Sequence, residues 1–527
     1  MGKRLDKFDY IVLIAVPCLF AGALQIVGKV LSGWISAQVP VYAASSIRFI
    51  KMLFWIISGL AAYKYVLAYL YHKATKRSYY KDRIAFRRPY ATLKRFYMTA
   101  DPYRLDEETL PVERWQDAEG VILGKIGDRL IKRPSSGVGN LAVFSLPGGG
   151  KTTSQIIPSA MRFKGAVLAV DIKGDILNFA QKHGKRIIQV FDPENPEHSA
   201  HYNPFDGIDK LTELERKTAI EQIALVLMPD TGERDGKYFL DGGRDYFCGV
   251  ALYMLYNDFE TTLPKVAKAI VEGNAFDWAK TVVGGPCNLA KSYLASYIGS
   301  NEKNVAGAYG VVAKAVRPFA YGALADLLEP DQYSISPASL EIGFDIYIEI
   351  PQDKIKLYAP VTTIIVQQFL MAFMQRKDIS TGEELRPILF LLDEFPQLQF
   401  DYDTLMAALS TLRSKRVSLF LAFQSIAQAN HRYGDAGFRA IMDTCAYISI
   451  MSAQDPDSRD YFSRLCGTHN YLKVTTSYDS NKQKTRSISE EREPVFQPAD
   501  FGNLGDDVVI VANGKYVRVK KTYCFKN

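Results

Sequence analysis

Residues 145–153 read Ser-Leu-Pro-Gly-Gly-Gly-Lys-Thr-Thr, directly after the apolar run 140–144 and directly before a segment carrying Ile156 and Ile157. A strand, a glycine-rich bend and a helix in that order make a phosphate cradle: the backbone N–H groups of Leu146, Pro147's neighbours Gly148, Gly149 and Gly150, and then Lys151, Thr152 and Thr153 can turn inward on a polyphosphate. Lys151 is placed to set its ammonium against the terminal phosphates, and Thr152 to offer a hydroxyl to Mg²⁺ at the start of a helix whose dipole favours an anion. The strict pattern has glycine where this chain has Ser145. A glycine-rich turn ahead of an ordinary helix is the plainer alternative, and residues far along the chain weigh against it.

Residues 386–394, Arg-Pro-Ile-Leu-Phe-Leu-Leu-Asp-Glu, form an apolar strand that ends in two acids. Asp393 suits the Mg²⁺ shell. Glu394, just beyond the strand, suits the base that orients and deprotonates a water attacking a γ-phosphate. A third apolar run, 417–423, ends in Gln424, a polar group at a strand tip able to contact the same phosphate. Lys151, Glu394 and Gln424 are thus the candidate catalytic residues, and ATP and Mg²⁺ the candidate ligands.

Those residues need a sheet beneath them. Residues 165–171 and 186–191 read as buried strands, the first leading into Ile172-Lys173-Gly174-Asp175 and the second into a loop with Pro193 and Pro196. Alternation of strand and helix from 145 to 191 implies a mostly parallel sheet. From 211 to about 328 the pattern turns helical, with helices expected over 213–228, 246–256, 263–270 and 305–325. A strand at 344–350 and a helix at 357–375 then resume the sheet, so the nucleotide-binding domain is read as split by an all-α insertion. A terminal strand pair is expected at 508–512 and 516–521. Residues 473–493, polar and without apolar periodicity, read as a mobile loop or long hairpin, solvated in the plainer view and able to grip DNA in the other.

A chain of 527 residues with 48% hydrophobic and 23% charged residues has room for about two to four domains, some of them in a membrane. Cys18, Cys248, Cys287, Cys445, Cys466 and Cys524 form no C-x-x-C pair, and the six histidines no H-E-x-x-H, so neither a disulfide framework nor a zinc site is indicated. Charge is unevenly spread. Residues 1–100 hold 16 Lys+Arg against 3 Asp+Glu, while the other 427 hold 48 against 54. The basic residues surround two apolar runs, 10–28 and 52–71. The first is long enough to cross a bilayer, and the second carries Lys64 among Tyr63, Tyr65, Tyr69 and Tyr71, a composition suited to a membrane interface. Lys3, Arg4 and Lys7 precede the pair, Lys73 to Arg88 follow it, and residues 31–47 between them are uncharged. The asymmetry puts both termini and the catalytic bulk in the cytoplasm, with a buried soluble hairpin as the competing view. The basic, aromatic stretch 72–95 would lie on anionic membrane lipid or, less simply, on nucleic acid.

Taken together, the paired N-terminal runs, Leu146–Thr152, Asp171-Ile-Lys-Gly-Asp175, Phe191-Asp-Pro-Glu-Asn195, Tyr202-Asn-Pro-Phe205, Leu391-Leu-Asp-Glu-Phe-Pro396, the stretch from Arg413 to Gln424 and Tyr433-Gly434 resemble the coupling proteins of type IV secretion systems. The resemblance implies an α/β, RecA-like P-loop nucleotide-binding domain with an inserted all-α domain, preceded by a two-helix hairpin in the bacterial inner membrane and assembled as a homo-hexamer. It divides the chain into a hairpin at 1–72, a basic linker leading into the ATPase domain at 73–135, nucleotide-binding parts at 136–207 and 336–527, and the insertion at 208–335. It also implies that Arg413 reaches a neighbouring subunit's γ-phosphate, the alternative being a surface arginine in a basic cluster with Lys415 and Arg416. The implied activity is an ATP-driven substrate receptor and motor that delivers relaxase–DNA complexes, single-stranded DNA or effector proteins to the secretion channel components. A nucleotide-stabilised scaffold that recruits substrates without hydrolysis is the alternative from another class. A double-stranded DNA translocase, which shares the fold, would call for a winged DNA-reading segment that the sequence does not display.

Overall fold

The computed structural model describes residues 112–114, 119–133, 135, 139–230, 236–258, 260–382, 384–478 and 484–525, together with Lys29 and Met52. The membrane hairpin expected at 1–72 and most of the basic linker lie outside the described residues.

Three strands open the described chain: β1 (Val112–Arg114), β2 (Val121–Ile126) and β3 (Arg129–Arg133). They are followed by β4 (Asn140–Phe144), β5 (Ala166–Asp171), β6 (Ile188–Phe191), β7 (Asp345–Glu349), β8 (Ile388–Leu392), β9 (Val417–Phe423) and β10 (Cys445–Ile450). These last seven lie parallel in the order β10-β4-β9-β8-β5-β7-β6. β4, β5, β8 and β9 are buried along their whole length, as strands covered on both faces must be. Their side chains alternate between two apolar layers. Ala142, Phe144, Leu168, Val170, Phe390, Leu392, Leu421 and Phe423 face one, while Leu141, Val143, Val167, Ala169, Leu389, Leu391, Phe420 and Ala422 face the other.

The second layer is closed by α1 (Ile157–Arg162), which continues a π-helical turn Thr152–Ile156, and by α2 (Asp175–His183). The first layer is continuous with the helical segment between β6 and β7, which comprises α3 (Glu213–Leu227), α4 (Lys237–Asn257), α5 (Leu263–Glu272), α6 (Ala275–Gly284), α7 (Asn288–Leu294), α8 (Glu302–Val316), α9 (Ala323–Leu327) and α10 (Pro337–Ile342). Local chemistry starts and stops these helices. Thr212 and Glu215 form a reciprocal capping box at the head of α3, and Thr262 caps α5. The single helix expected over 305–325 is broken, because Pro318 follows α8 and cannot donate the hydrogen bond that would extend it.

Helix α11 (Ile355–Met374) is apolar and long enough to cross a membrane by composition, yet two thirds of that stretch is buried inside the protein, against the sheet layer shared with α3. The remaining helices are α12 (Tyr402–Thr411), α13 (Ile426–Asp443) and α14 (Pro456–Leu465). The polar stretch 473–493 belongs to an antiparallel ribbon, β11 (Thr468–Tyr478) with β12 (Lys484–Pro494), so the hairpin rather than the loop reading holds. Strands β13 (Asp507–Ala512) and β14 (Lys515–Lys520) pair antiparallel as expected. They then extend the sheet in a way the sequence did not suggest: β13 adds to β10, and β14 touches β2, which brings β2 and β3 into the 12-stranded sheet although they sit in the segment read as linker.

The family-like motifs after β6 act as stitches to α11. Glu194 pairs with Lys354 and accepts the Tyr358 hydroxyl, while Gln368 accepts from the Tyr202 hydroxyl and donates to the Pro204 carbonyl (2.8 Å).

Phe144 ties β4 to its neighbours, stacked on Phe423 of β9 at 4.9 Å and packed on Phe462 of α14 at 5.0 Å. Replacing it with alanine should cost about 3–5 kcal/mol of stability. Thermal melting of the full chain in detergent checks this; a midpoint equal to that of the wild type would contradict the packing described.

Candidate nucleotide-binding site

In an open parallel sheet, loops that leave the carboxyl ends of adjacent strands converge on one crevice. Here β4, β9 and β8 are neighbours, with Phe144 in register with Phe423 and Leu392 with Leu421. The loop after β4, Gln424 after β9 and Asp393-Glu394 after β8 therefore stand at one edge, although more than two hundred positions separate the first from the last.

The glycine loop is closed on itself. The Gly149 N–H donates to the Leu146 carbonyl (2.9 Å), and the Ser145 hydroxyl donates to the same oxygen (3.2 Å). Gly148 and Gly150 hold φ of 74° and 90°, which side chains rarely adopt, and a Cβ on Gly149 would come within 2.3 Å of the Ser145 Oγ. Ser145 thus occupies the position of the pattern's first glycine and turns its hydroxyl into the loop. The helix that follows begins with the π-helical turn Thr152–Ile156, a feature frequent at functional sites.

Lys151 meets both acids. Its Nζ lies 3.0 Å from Asp393 Oδ1 and pairs with Glu394 Oε1. Burial pulls the ammonium down, and the two carboxylates together more than offset it, leaving Lys151 above the ordinary lysine range. Asp393 is pushed up by burial and by Glu394, against the pull of Lys151. Glu394 is held in the left-handed region (φ 52°, ψ 44°), a conformation that costs a non-glycine residue energy and clusters at functional sites. Its Oε2 is buried with no protein partner. An unpaired buried carboxylate oxygen beside a glycine loop suits a water or a cation's water shell, and thus fits a metal-bound polyphosphate.

Gln424 stands where the sequence put it, next to the head of α13, with its Oε1 accepting from Gln428 (3.3 Å). Arg413 does not join the group. It is exposed in the turn Leu412–Lys415 that precedes β9, so a seven-residue strand, about 23 Å, separates it from the crevice edge. Within one chain it belongs to the opposite side of the sheet.

Two contributors had no clear signal in the sequence, and a third had a signal but no assigned role. Ser452, after β10, accepts the Leu146 N–H (3.1 Å) and anchors the mouth of the loop. The segment after β14 lies along the loop's far side, where the Cys524 N–H donates to the Thr153 carbonyl (2.9 Å). Asp171, read as a strand end and as the first residue of the family-like element 171–175, accepts from the N–H groups of Ile176 (2.8 Å) and Leu177 (2.9 Å), fixing the start of α2, and burial raises it to about 6 with Asp393 adding to the rise.

A profile of the family described as "Type IV secretory system Conjugative DNA transfer" matches residues 138–527, most of the chain and all of this site. The chain belongs to that family. It is 26% identical over 442 residues to a protein named "Probable conjugal transfer protein TraG" of Sinorhizobium fredii, covering 78% of this chain and 66% of the relative. It is 23% identical over 387 residues to "Protein VirD4" of Agrobacterium fabrum, covering 71% and 56%. The chain therefore spans roughly half to two thirds of the length of these relatives. Among solved structures, the plasmid coupling protein TrwB, described in complex with a non-hydrolysable ATP analogue, superposes with a TM-score of 0.60 at 15% identity over 82% of this chain and 98% of that one. That likeness shows the mixed α/β fold with its large parallel sheet.

Gly149→Ala should impair nucleotide retention by driving a methyl group into the Ser145 hydroxyl, and the double variant Ser145→Ala/Gly149→Ala should recover part of the loss. Titration of the full-length variants with a fluorescent nucleotide reads both, and a Gly149→Ala protein that binds like wild type would count against the cradle.

Proposed function

We propose that this chain is the ATP-hydrolysing substrate receptor and motor of a type IV secretion apparatus, a RecA-like P-loop ATPase whose helical segment 208–335 is an inserted domain and whose residues 1–72 form a hairpin in the bacterial inner membrane. The observation that carries the reading is the meeting of Lys151 with Asp393 and Glu394 at the carboxyl edge of β4 and β8. Family membership supports the setting, as do relatives named for conjugal transfer and for type IV secretion coupling in Bartonella quintana. The description of TrwB with ADP and Mg²⁺ supports the choice of ligands.

Thr152 and Asp393 would hold Mg²⁺, which when bound would supply neutralisation of the phosphate charge. The backbone N–H groups of the loop cradle the phosphates. Lys151 exchanges its carboxylate partners for the γ-phosphate oxygens and stabilises the charge that builds there. Glu394, freed of the ammonium and already aimed by its left-handed backbone, takes the proton of a water whose oxygen forms a bond to the γ-phosphorus as the bond to the β-phosphate oxygen of ADP breaks; inorganic phosphate and ADP leave. Gln424 contacts the γ-phosphate from the tip of β9 and passes its presence or loss to α13. Arg413, exposed on the opposite edge, suits a role in a neighbouring subunit's site, completed in a homo-hexameric ring. The cargo is DNA with its attached protein, or effector proteins, passed to the channel from the cytoplasmic side.

Full-length protein reconstituted in lipid should release phosphate from ATP, and Glu394→Gln should cut the rate by about 10²–10⁴-fold while leaving nucleotide binding intact. Turnover that Glu394→Gln leaves unchanged would overturn the motor reading, and nucleotide binding without turnover in the wild type would favour the nucleotide-stabilised scaffold instead. Arg413→Ala should lower turnover by about 10³-fold or more, and mixing it with Glu394→Gln subunits should restore part of the activity, since each then supplies what its neighbour lacks. No recovery in the mixture would argue that Arg413 does not act across subunits.

A further inference from the structure

We propose that Tyr523 and Phe525 form a stacking platform for the nucleobase of the triphosphate held by the loop 145–153. This deepens the nucleotide reading and rests on it. The direction of the ligand follows from the sheet. Its terminal phosphate is held at Lys151, whose acidic partners follow β8 on one side of β4. The nucleoside must leave toward the other side, where β4 is flanked by β10 and then β13 and β14. The residues that follow β14 stand there.

Their attachment to the loop is direct. The Cys524 N–H donates to the Thr153 carbonyl (2.9 Å), and a Cβ on Gly150 would lie 3.4 Å from the ring carbon Cε1 of Tyr523. The Tyr523 ring is aimed by its own hydroxyl, which donates to Asp506 Oδ1 (2.9 Å), and the segment is tied down again by Lys521, whose Nζ donates to the Gly505 carbonyl (2.7 Å). Phe525 stacks on Tyr523, with centroids 5.4 Å apart and planes 30° apart, and remains 65% exposed. Two offset rings, one pinned and one open to solvent, at the nucleoside end of a phosphate cradle present a π-face to a planar base. Recognition by π-face is tolerant of base identity, because every base has one. The platform therefore holds a purine without selecting strongly between adenine and guanine.

The test uses the full chain in detergent with three probes: ATP, GTP and inorganic tripolyphosphate, which carries the phosphates without the base. Stacking of this kind predicts that Tyr523→Ala/Phe525→Ala binds ATP and GTP about tenfold more weakly and tripolyphosphate as wild type does. Tyr523→Trp, which keeps an aromatic face, should retain ATP affinity, and its indole fluorescence should be quenched by ATP and not by tripolyphosphate. If the double variant binds ATP as tightly as wild type, the platform is refuted while the phosphate cradle stands. An equal loss for ATP and tripolyphosphate also refutes it, because the segment would then act only by propping the Thr153 carbonyl. If wild-type protein binds none of the three probes, the nucleotide reading beneath the proposal falls first.

Discussion

One ammonium shared by a buried and a partly buried carboxylate is the constraint around which this molecule is arranged. Lys151 comes from the loop after β4, and Asp393 and Glu394 from the end of β8, so their meeting depends on β9 lying between those strands in parallel and in register. The group carries one positive against two negative charges. An anionic triphosphate entering alone would take the ammonium and leave the buried Asp393 and the partly buried Glu394 without their cation, a costly state. On the proposed reading, a divalent cation arriving with the phosphates offsets that loss, which is a physical reason for nucleotide and metal to enter together rather than in sequence. The unpaired Glu394 oxygen marks where the present arrangement is incomplete.

Much of this was legible in the sequence because it is local. The loop, the acidic strand end and the largely apolar runs of β5, β8 and β9 each announce their conformation over a short stretch of chain, and a parallel sheet then leaves little choice about which ends converge. What escaped depends on pairing across distance. Ser452 is an ordinary serine until β10 is laid beside β4, and Tyr523 an ordinary tyrosine until β13 and β14 carry the chain back past the loop. Strands β2 and β3 escaped because a short hairpin following a basic stretch reads as linker until β14 is found against it. The over-long helix at 305–325 was a different failure, in which apolar spacing was followed through Pro318, which ends it.

The left-handed backbone at Glu394 has a structural support of its own. The Gln397 N–H donates to the Glu394 carbonyl (2.8 Å), and Phe395 is wholly buried, stacked on Phe400 and on Tyr433. A buried aromatic immediately after a strained residue stops the strain from relaxing by rotation of the loop, so the carboxylate is aimed by packing behind it. Tyr433 precedes Gly434, where φ of 69° kinks α13, the helix that begins just after Gln424. Gln424 and Glu394 are thus joined through one aromatic stack and one bent helix, which on the proposed reading is a route that carries the loss of the γ-phosphate beyond the crevice.

The position of Arg413 follows from the same strand. β9 carries Gln424 at its carboxyl end and the Arg413 turn before its amino end, and a buried strand in mid-sheet does not bend to bring them together. If both act on a γ-phosphate, they must act on different ones. That requirement selects a head-to-tail contact, in which one subunit's crevice edge faces the opposite edge of the next, over a two-fold contact, in which like edges would meet. A head-to-tail contact whose rotation closes makes a ring. On the proposed reading, the separation of two residues along one rigid strand is therefore what makes hydrolysis a property of the ring, with each site waiting on its neighbour's arginine.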